Sequence, residues 1–259
     1  MARLTKEELQ DQLRGAKVFR GANLARMNLA GMNLAGVDLS GGTLSFANFA
    51  GANLARAILR DAKAESAVFT GANLAGADCT GAFLDTAQFA DAECAEASFE
   101  GASLRFADFS RAILTGARFT GAPLIAARLA GVHADGAEFS RVAMAMAVLT
   151  GGSFVGALFK NADLSGCRFE NADLKGADLE GALAILAQFQ YCELSHARVQ
   201  GANFFGADLT AVDLGLFDWK AGKFDCVVRR KTSDTKEAEA GEEPAPATPI
   251  ESAPSSSPA

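Results

Sequence analysis

Histidine is scarce. Two occur in 259 residues, His133 and His196, and they stand 63 positions apart. Positive charge is short as well: 24 Lys and Arg against 31 Asp and Glu give a formal charge of −7, so the basic footprint that direct nucleic-acid binding requires is missing. No apolar run reaches the 18 residues of a membrane-spanning helix, and the N-terminus lacks the basic-then-apolar pattern of a secretory signal. These absences lead to the expectation of a soluble, cytoplasmic protein with no membrane contact.

What the chain has in abundance is a period. In "GANLARMNLAGMNLAGVDLSG", residues 21–41, leucine recurs at Leu24, Leu29, Leu34 and Leu39. On an α-helix at about 100° per residue, steps of five rotate each leucine by about 140° and define no face. On a flat strand, an odd step throws successive leucines to opposite sides. A chain that turns by about a right angle after every five residues brings them all to one interior, so a coil is expected.

Counting in fives from Phe19 to Phe224 gives 42 central positions in an unbroken frame: 20 Leu, 14 Phe, and Ala64, Cys79, Cys94, Ala134, Met144, Ala184, Val199 and Trp219. None is charged. Two residues before each centre, 29 of the 42 slots are Ala, which an extended segment also points inward and which must be small beside a crowded corner. The slot before the centre is often Asn or Asp, and the slot two after it is often Gly, which tolerates the positive φ of a tight turn.

The A-(D/N)-L/F-x-G pattern, plain in "NADLKGADLEG" from Asn171 to Gly181, resembles the pentapeptide-repeat family over about four-fifths of the chain. The resemblance implies an all-β fold, a right-handed quadrilateral β-helix with four pentapeptides per coil. About 10 coils at roughly 4.8 Å each make a rod about 50 Å long. Centres 20 apart then stack: Phe49, Phe69, Phe89 and Phe109 in one ladder, Phe99, Phe119, Phe139 and Phe159 in a facing one. Three segments are expected: an N-terminal capping helix over 1–14, the β-helix over 15–231, and a disordered acidic Pro/Ala/Ser-rich tail over 232–259. In the first, Thr5 and Glu8 have capping-box spacing, and Leu4, Leu9 and Leu13 share a face. Solenoid ends expose strand edges and need such covers; at the far end, Trp219 and "FDCVVRRK" suit a last coil with a short edge element.

The frame also disposes of catalysis and metals. His133 and His196 lie more than three coils apart. Cys192 points in and His196 out, so their four-residue offset makes no metal pair. Cys79, Cys94, Cys167 and Cys192 occupy interior slots and behave as small hydrophobes. The recurrent glycines are turn residues, not a phosphate loop. A non-enzymatic protein with no cofactor and no metal is expected.

Function is therefore expected on a surface. Of the four sides, three carry three large apolar residues each in outward slots. The fourth, with centres from Leu24 through Ala64 to Phe224, carries nine: Phe46, Phe83, Phe106, Ile125, Met146, Leu183, Ile185, Leu186 and Phe205. Ile185 and Leu186, beside the small centre Ala184, have room to tuck inward. Only Gly166 and Gly206 are glycine among the 11 corners after this side, against five to seven on each other side, so a different turn type is expected there. A strip on the order of 400 Å² or more exceeds what a monomer usually leaves wet. The leading expectation is a protein-binding or scaffold solenoid using these nine residues, its partner unidentified or a second copy in a homodimer.

Family resemblance supplies two alternatives. Some members are rods whose acidic surface imitates DNA and binds DNA gyrase; others accompany secretion assemblies. Asp85, Asp91, Glu93, Glu96 and Glu100 wrap around all four sides instead of forming a stripe. Asp173, Glu193 and Asp213 form a short ladder, while Arg118, Arg128, Arg168 and Arg198 interrupt the other sides.

Overall fold

The computed structural model describes residues 6–15 and 17–229. Thr5 and Leu4 of the expected cap, and the expected tail over 232–259, lie outside the described residues. From residue 17 onward the chain winds so that residues before the centres, Ser103, Glu193 and Arg198 excepted, pair in parallel with the residue 20 further on, as Asn23 with Thr43 and Asn28 with Asn48. A five-residue side and a 20-residue repeat make a four-sided β-helix. Each rung is a reciprocal backbone pair: Leu24 N–H donates to Thr43 O at 2.8 Å, and Thr43 N–H donates to Ala22 O at 2.9 Å.

Corners follow from local chemistry. Met27 N–H donates to Leu24 O at 3.1 Å, closing a β-turn whose third residue, Arg26, has φ 59°, the left-handed position that type II turns require. The Asn before the centre helps, since Asn23 Oδ1 accepts from Ala25 N–H at 3.2 Å, an Asx interaction that competes with straight strand. Every corner from Gly21 to Cys226 is left-handed except Leu216 and Ala221, and half of the 40 left-handed corners are not glycine. The expectation of another turn type after the apolar side is thus incorrect: Phe46, Phe106, Met146 and Leu186 have φ of 60°, 58°, 63° and 57°. Interstrand hydrogen bonds force the same conformation on any residue that sits there.

The interior is closely packed and aromatic. Phe49, Phe69, Phe89 and Phe109 stack with centroids 5.1, 4.8 and 4.6 Å apart. Phe99, Phe119, Phe139 and Phe159 stack at 5.0, 4.9 and 5.1 Å. The two ladders meet edge to face, Phe99 against Phe89 and Phe109 at 5.6 Å, a geometry that ring quadrupoles favour. Pro123 leaves a gap in the ladder beneath the apolar side. Leu104 N–H still donates to Pro123 O at 2.9 Å, but proline has no N–H to return the bond.

At the N-terminal end α1, Lys6–Gln12, has Glu7 and Glu8 in its first turn, where carboxylates favour the helix dipole. It buries Leu9 in the core, with Leu13 packed against it one turn later. At the other end the unbroken frame expected from sequence does break. Two short 3-10 turns, Leu214–Leu216 and Trp219–Ala221, replace regular sides. His196 N–H reaches Leu216 O, 20 residues on, where Gly21 N–H reaches only 19, to Ser40 O. Phe217 occupies a slot that is Ala in most coils, and its ring takes the interior, leaving Leu214 and Trp219 only partly buried. Regular pairing resumes with Asn203 to Lys223, and Phe224 stacks on Phe204 at 4.5 Å.

Candidate protein-binding wall

The side centred on Leu24, Leu44 and their successors presents three outward rows: the residue before the centre, the one after it, and the left-handed corner. Of the 14 large apolar residues exposed among the described residues, eight stand on this side: Phe46, Phe83, Phe106, Ile125, Met146, Leu183, Leu186 and Phe205. Ile185 is half-buried, tucked beside Ala184, whereas Leu186 is 62% exposed. Helix α1 leaves Phe46 57% exposed. From Ser103 to Gly206 the rows contain two charged residues, Arg105 and Asp163.

The corner row is built by draping. Arg26, Met146 and Leu186 each lie along the rod axis over the corner of the following coil. Arg26 reaches the Phe46 ring at 5.4 Å. Met146 lies over Gly166, whose Cβ, were there one, would stand 3.7 Å from Met146 Cγ. Phe106 at 60% and Met146 at 70% are nevertheless mostly exposed, so draping buries little of them. A bulky left-handed residue costs on the order of 1–2 kcal/mol relative to glycine at such a turn. The row therefore carries local strain and wet apolar surface together.

The carboxylates are arranged differently. Asp91 and Arg111 form a two-pronged pair across one coil, both contacts at 2.7 Å, and Arg111 holds the Asp91 carboxyl below its ordinary pKa. Asp85 meets Arg105 at 3.5 Å and accepts from Ser103 Oγ at 2.6 Å. The four arginines expected to interrupt acidic rows are all paired: Arg118 with Glu100 at 3.1 Å, Arg128 with Asp108 at 3.7 Å, Arg168 with Glu170 at 3.1 Å, and Arg198 with Asp178 at 3.1 Å. The expected ladder of three acids is a pair. Asp173 bridges to Glu193, but Glu193 has no bridge to Asp213, which instead caps the 3-10 turn Leu214–Leu216, accepting from Gly215 N–H at 2.8 Å.

The interior thiols are closed off from solvent. Burial pushes the Cys79 and Cys94 thiols well above their usual range, and those of Cys167 and Cys192 up to about 12. Among the described residues no cluster of His, Cys, Asp and Glu has metal-holding geometry, and no helix is long and apolar enough to cross a membrane. Sequence reasoning located the apolar rows and missed the strain, which becomes visible only through the backbone.

A model of pentapeptide repeats matches the chain in eight copies, over residues 18–55, 52–91, 67–105, 87–124, 144–181 and 186–215. No curated protein matches it. Among solved structures it is similar to HetL, a pentapeptide repeat protein involved in heterocyst differentiation regulation from the cyanobacterium Nostoc sp. strain PCC 7120. That match has 23% identity, covers 91% of this chain and 100% of the other, and has a TM-score of 0.35. It is also similar to a trypsin-treated variant of QnrB1, a plasmid-mediated fluoroquinolone resistance protein, with 19% identity over 71% of this chain and 89% of the other, TM-score 0.48. A pentapeptide repeat protein of the Arabidopsis thaliana thylakoid lumen is 32% identical over 44% of this chain and 68% of its own, TM-score 0.29. With the five-residue frame, the 20-residue rung and the family match in agreement, the chain belongs to the pentapeptide repeat family.

Proposed function

We propose that the protein is a non-catalytic interaction module that binds protein through the wall of Phe46, Phe83, Phe106, Ile125, Met146, Leu183, Leu186 and Phe205, with Ile185 as a half-buried support. One observation carries the reading: four of these side chains, Phe46, Phe106, Met146 and Leu186, occupy left-handed corners where glycine would be easier. Packing the core does not require them, since they point out. Covering the strip removes apolar area from water, worth about 25 cal/mol per Å².

The rival reading, a DNA-mimicking rod that binds DNA gyrase, needs rows of free carboxylates at phosphate-like spacing. Here Asp91, Asp85, Asp178 and Glu100 are each matched by a cation. Affinity capture with the intact chain and with a Phe106→Ser/Met146→Ser variant tests the proposal. Partners that are held by the first and lost by the second support it; identical sets defeat it. A supercoiling assay tests the rival, for which inhibition at micromolar protein is the required result.

A further inference from the structure

Deepening that reading, we infer that the occupant of the wall is a second copy of this chain, packed face to face and antiparallel about a two-fold axis that crosses the rod between the coils of Ile125 and Ala145. The inference rests on the wall being a protein-binding surface, and adds its partner, direction and register.

Shape is the first argument. No loop is inserted into this side of the rod, so its regular rows can lie against the same rows of another copy. A two-fold of this kind sets each outward row against the same row reversed. The coil of Ser103–Phe106 then faces that of Asp163–Gly166, and the coil of Phe83–Thr86 faces that of Leu183–Leu186. Corner sizes match in this register. Phe106 is followed one coil later by Ala126, and Met146 by Gly166, so the large–small pair of one copy lies against the small–large pair of the other. On the row before the centre, Phe83 meets Leu183, both exposed in the single chain.

Charge is the second. Arg105 of one copy faces Ser165 of the other and stands at the height of its Asp163, two residues across the wall. No outward charge of the facing coils, Lys63, Glu65, Asp85, Lys223 and Asp225 included, lies opposite a like charge, and these five sit toward the two ends of the contact. A parallel pairing, whose two-fold runs along the rod, would reverse the lateral order of the rows and set the corner row of Phe106 and Met146 against the opposite edge of the wall, losing this match of sizes.

Area is the third. Ten coils face one another in this register, spanning about 48 Å, and a side of three extended residues is about 10 Å wide, so each copy covers on the order of 500 Å². The pair reaches about 1,000 Å² before side-chain relief is added, the threshold for a specific interface.

Sedimentation equilibrium on the full chain, with the Phe106→Ser/Met146→Ser variant beside it, tests the partner. The expected result is twice the 26.8 kDa chain mass for the first and a folded monomer for the second, with circular dichroism checking the fold. Register is tested by an Arg105→Cys/Ser165→Cys chain on a Cys226→Ser background, which is expected to give a band of doubled mass on a denaturing gel after treatment with a short bismaleimide reagent that spans the gap between facing sheets. The two positions lie three coils apart within one copy, so they cannot close on each other. A monomer at all concentrations up to about 100 μM overturns the inference, as does a dimer indifferent to Phe106 and Met146, or a dimer whose paired cysteines do not cross-link. If the chain is monomeric yet wall-dependent capture of another protein persists, this inference fails and the proposed function stands.

Discussion

Leu186 lies across the corner of the next coil, Gly206, so closely that a Cβ built on Gly206 would stand 2.7 Å from Leu186 Cδ2. Both residues are left-handed, with φ of 57° and 66°. A large corner residue thus favours a small one 20 positions later here, as Met146 does at Gly166, whereas Arg26 is followed by Phe46 and lies over its ring.

That relationship predicts the effect of Gly206→Ala. The new methyl meets only the far end of a flexible side chain, which can swing away, so the cost is chiefly that of a left-handed alanine, about 1 kcal/mol. Urea unfolding measures the loss. Leu186→Ala in the same background relieves the contact, so the double variant is expected to be less destabilised than the sum of the two single changes.

The stacked interior predicts a much larger effect at its centre. Phe109 is stacked on Phe89 at 4.6 Å and lies edge-on to Phe99 and Phe119 at 5.6 and 5.7 Å. Phe109→Ala leaves a cavity that neighbouring rungs, held by backbone hydrogen bonds, cannot close. A loss of about 3–5 kcal/mol is expected, read as a drop in urea midpoint.

Thiol labelling checks the frame directly. Four of the five cysteines are buried and Cys226 is exposed. One thiol is expected to react quickly with an aromatic disulfide reagent in the native protein diluted to the monomer, and all five in denaturant. Cys226→Ser removes the fast phase; rapid labelling of Cys79 or Cys94 contradicts a closed interior.

Acid stability follows from the carboxylates. Burial alone raises the Asp38 pKa, but hydrogen bonds from Ser40 and Arg20 outweigh it and leave the group below its ordinary value. Asp78 is likewise lowered, hydrogen bonds from Thr80 and Arg60 overcoming burial, and Ser195 lowers Glu193. Because these pKa values are lower folded than unfolded, their stabilisation is complete above the unfolded values near 4 and disappears as pH falls through the folded ones. Melting temperature is expected to be flat from pH 7 to 5 and to decline below about pH 4. Asp38→Asn is expected to make that decline shallower.

Residue spacing made most of this legible. A five-residue frame with Ala two before each centre determines which side chains enter the rod, so Phe109, Leu164 and the exposed Phe106 could be placed without coordinates. Leu9 was readable from the spacing of "KEELQDQL". The break near Phe217 was not, because Leu214 and Trp219 keep the period while a ring in the alanine slot displaces them. Nor was the corner conformation, since Phe46 and Met146 resemble no left-handed residue in composition. Rungs on both sides of a corner impose its φ, and that cooperative constraint lies in the stacking of coils instead of in any single pentapeptide.

The corner strain predicts a trade between stability and binding. Met146→Gly removes a left-handed penalty of about 1–2 kcal/mol and adds back about 0.5–1 kcal/mol of unfolded-chain entropy. With 70% of the Met146 surface already wet, little burial is lost. A net gain of roughly 0.5–1 kcal/mol is expected, measured by urea unfolding of the monomer at low concentration. The same change is expected to weaken association through the wall, because it deletes a protruding side chain from the contact row. A variant both more stable and less associated shows that Met146 is retained for contact and not for folding. If Met146→Gly instead destabilises the monomer by more than about 1 kcal/mol, draping over Gly166 is the reason for methionine there, and the strain ceases to argue for a binding role.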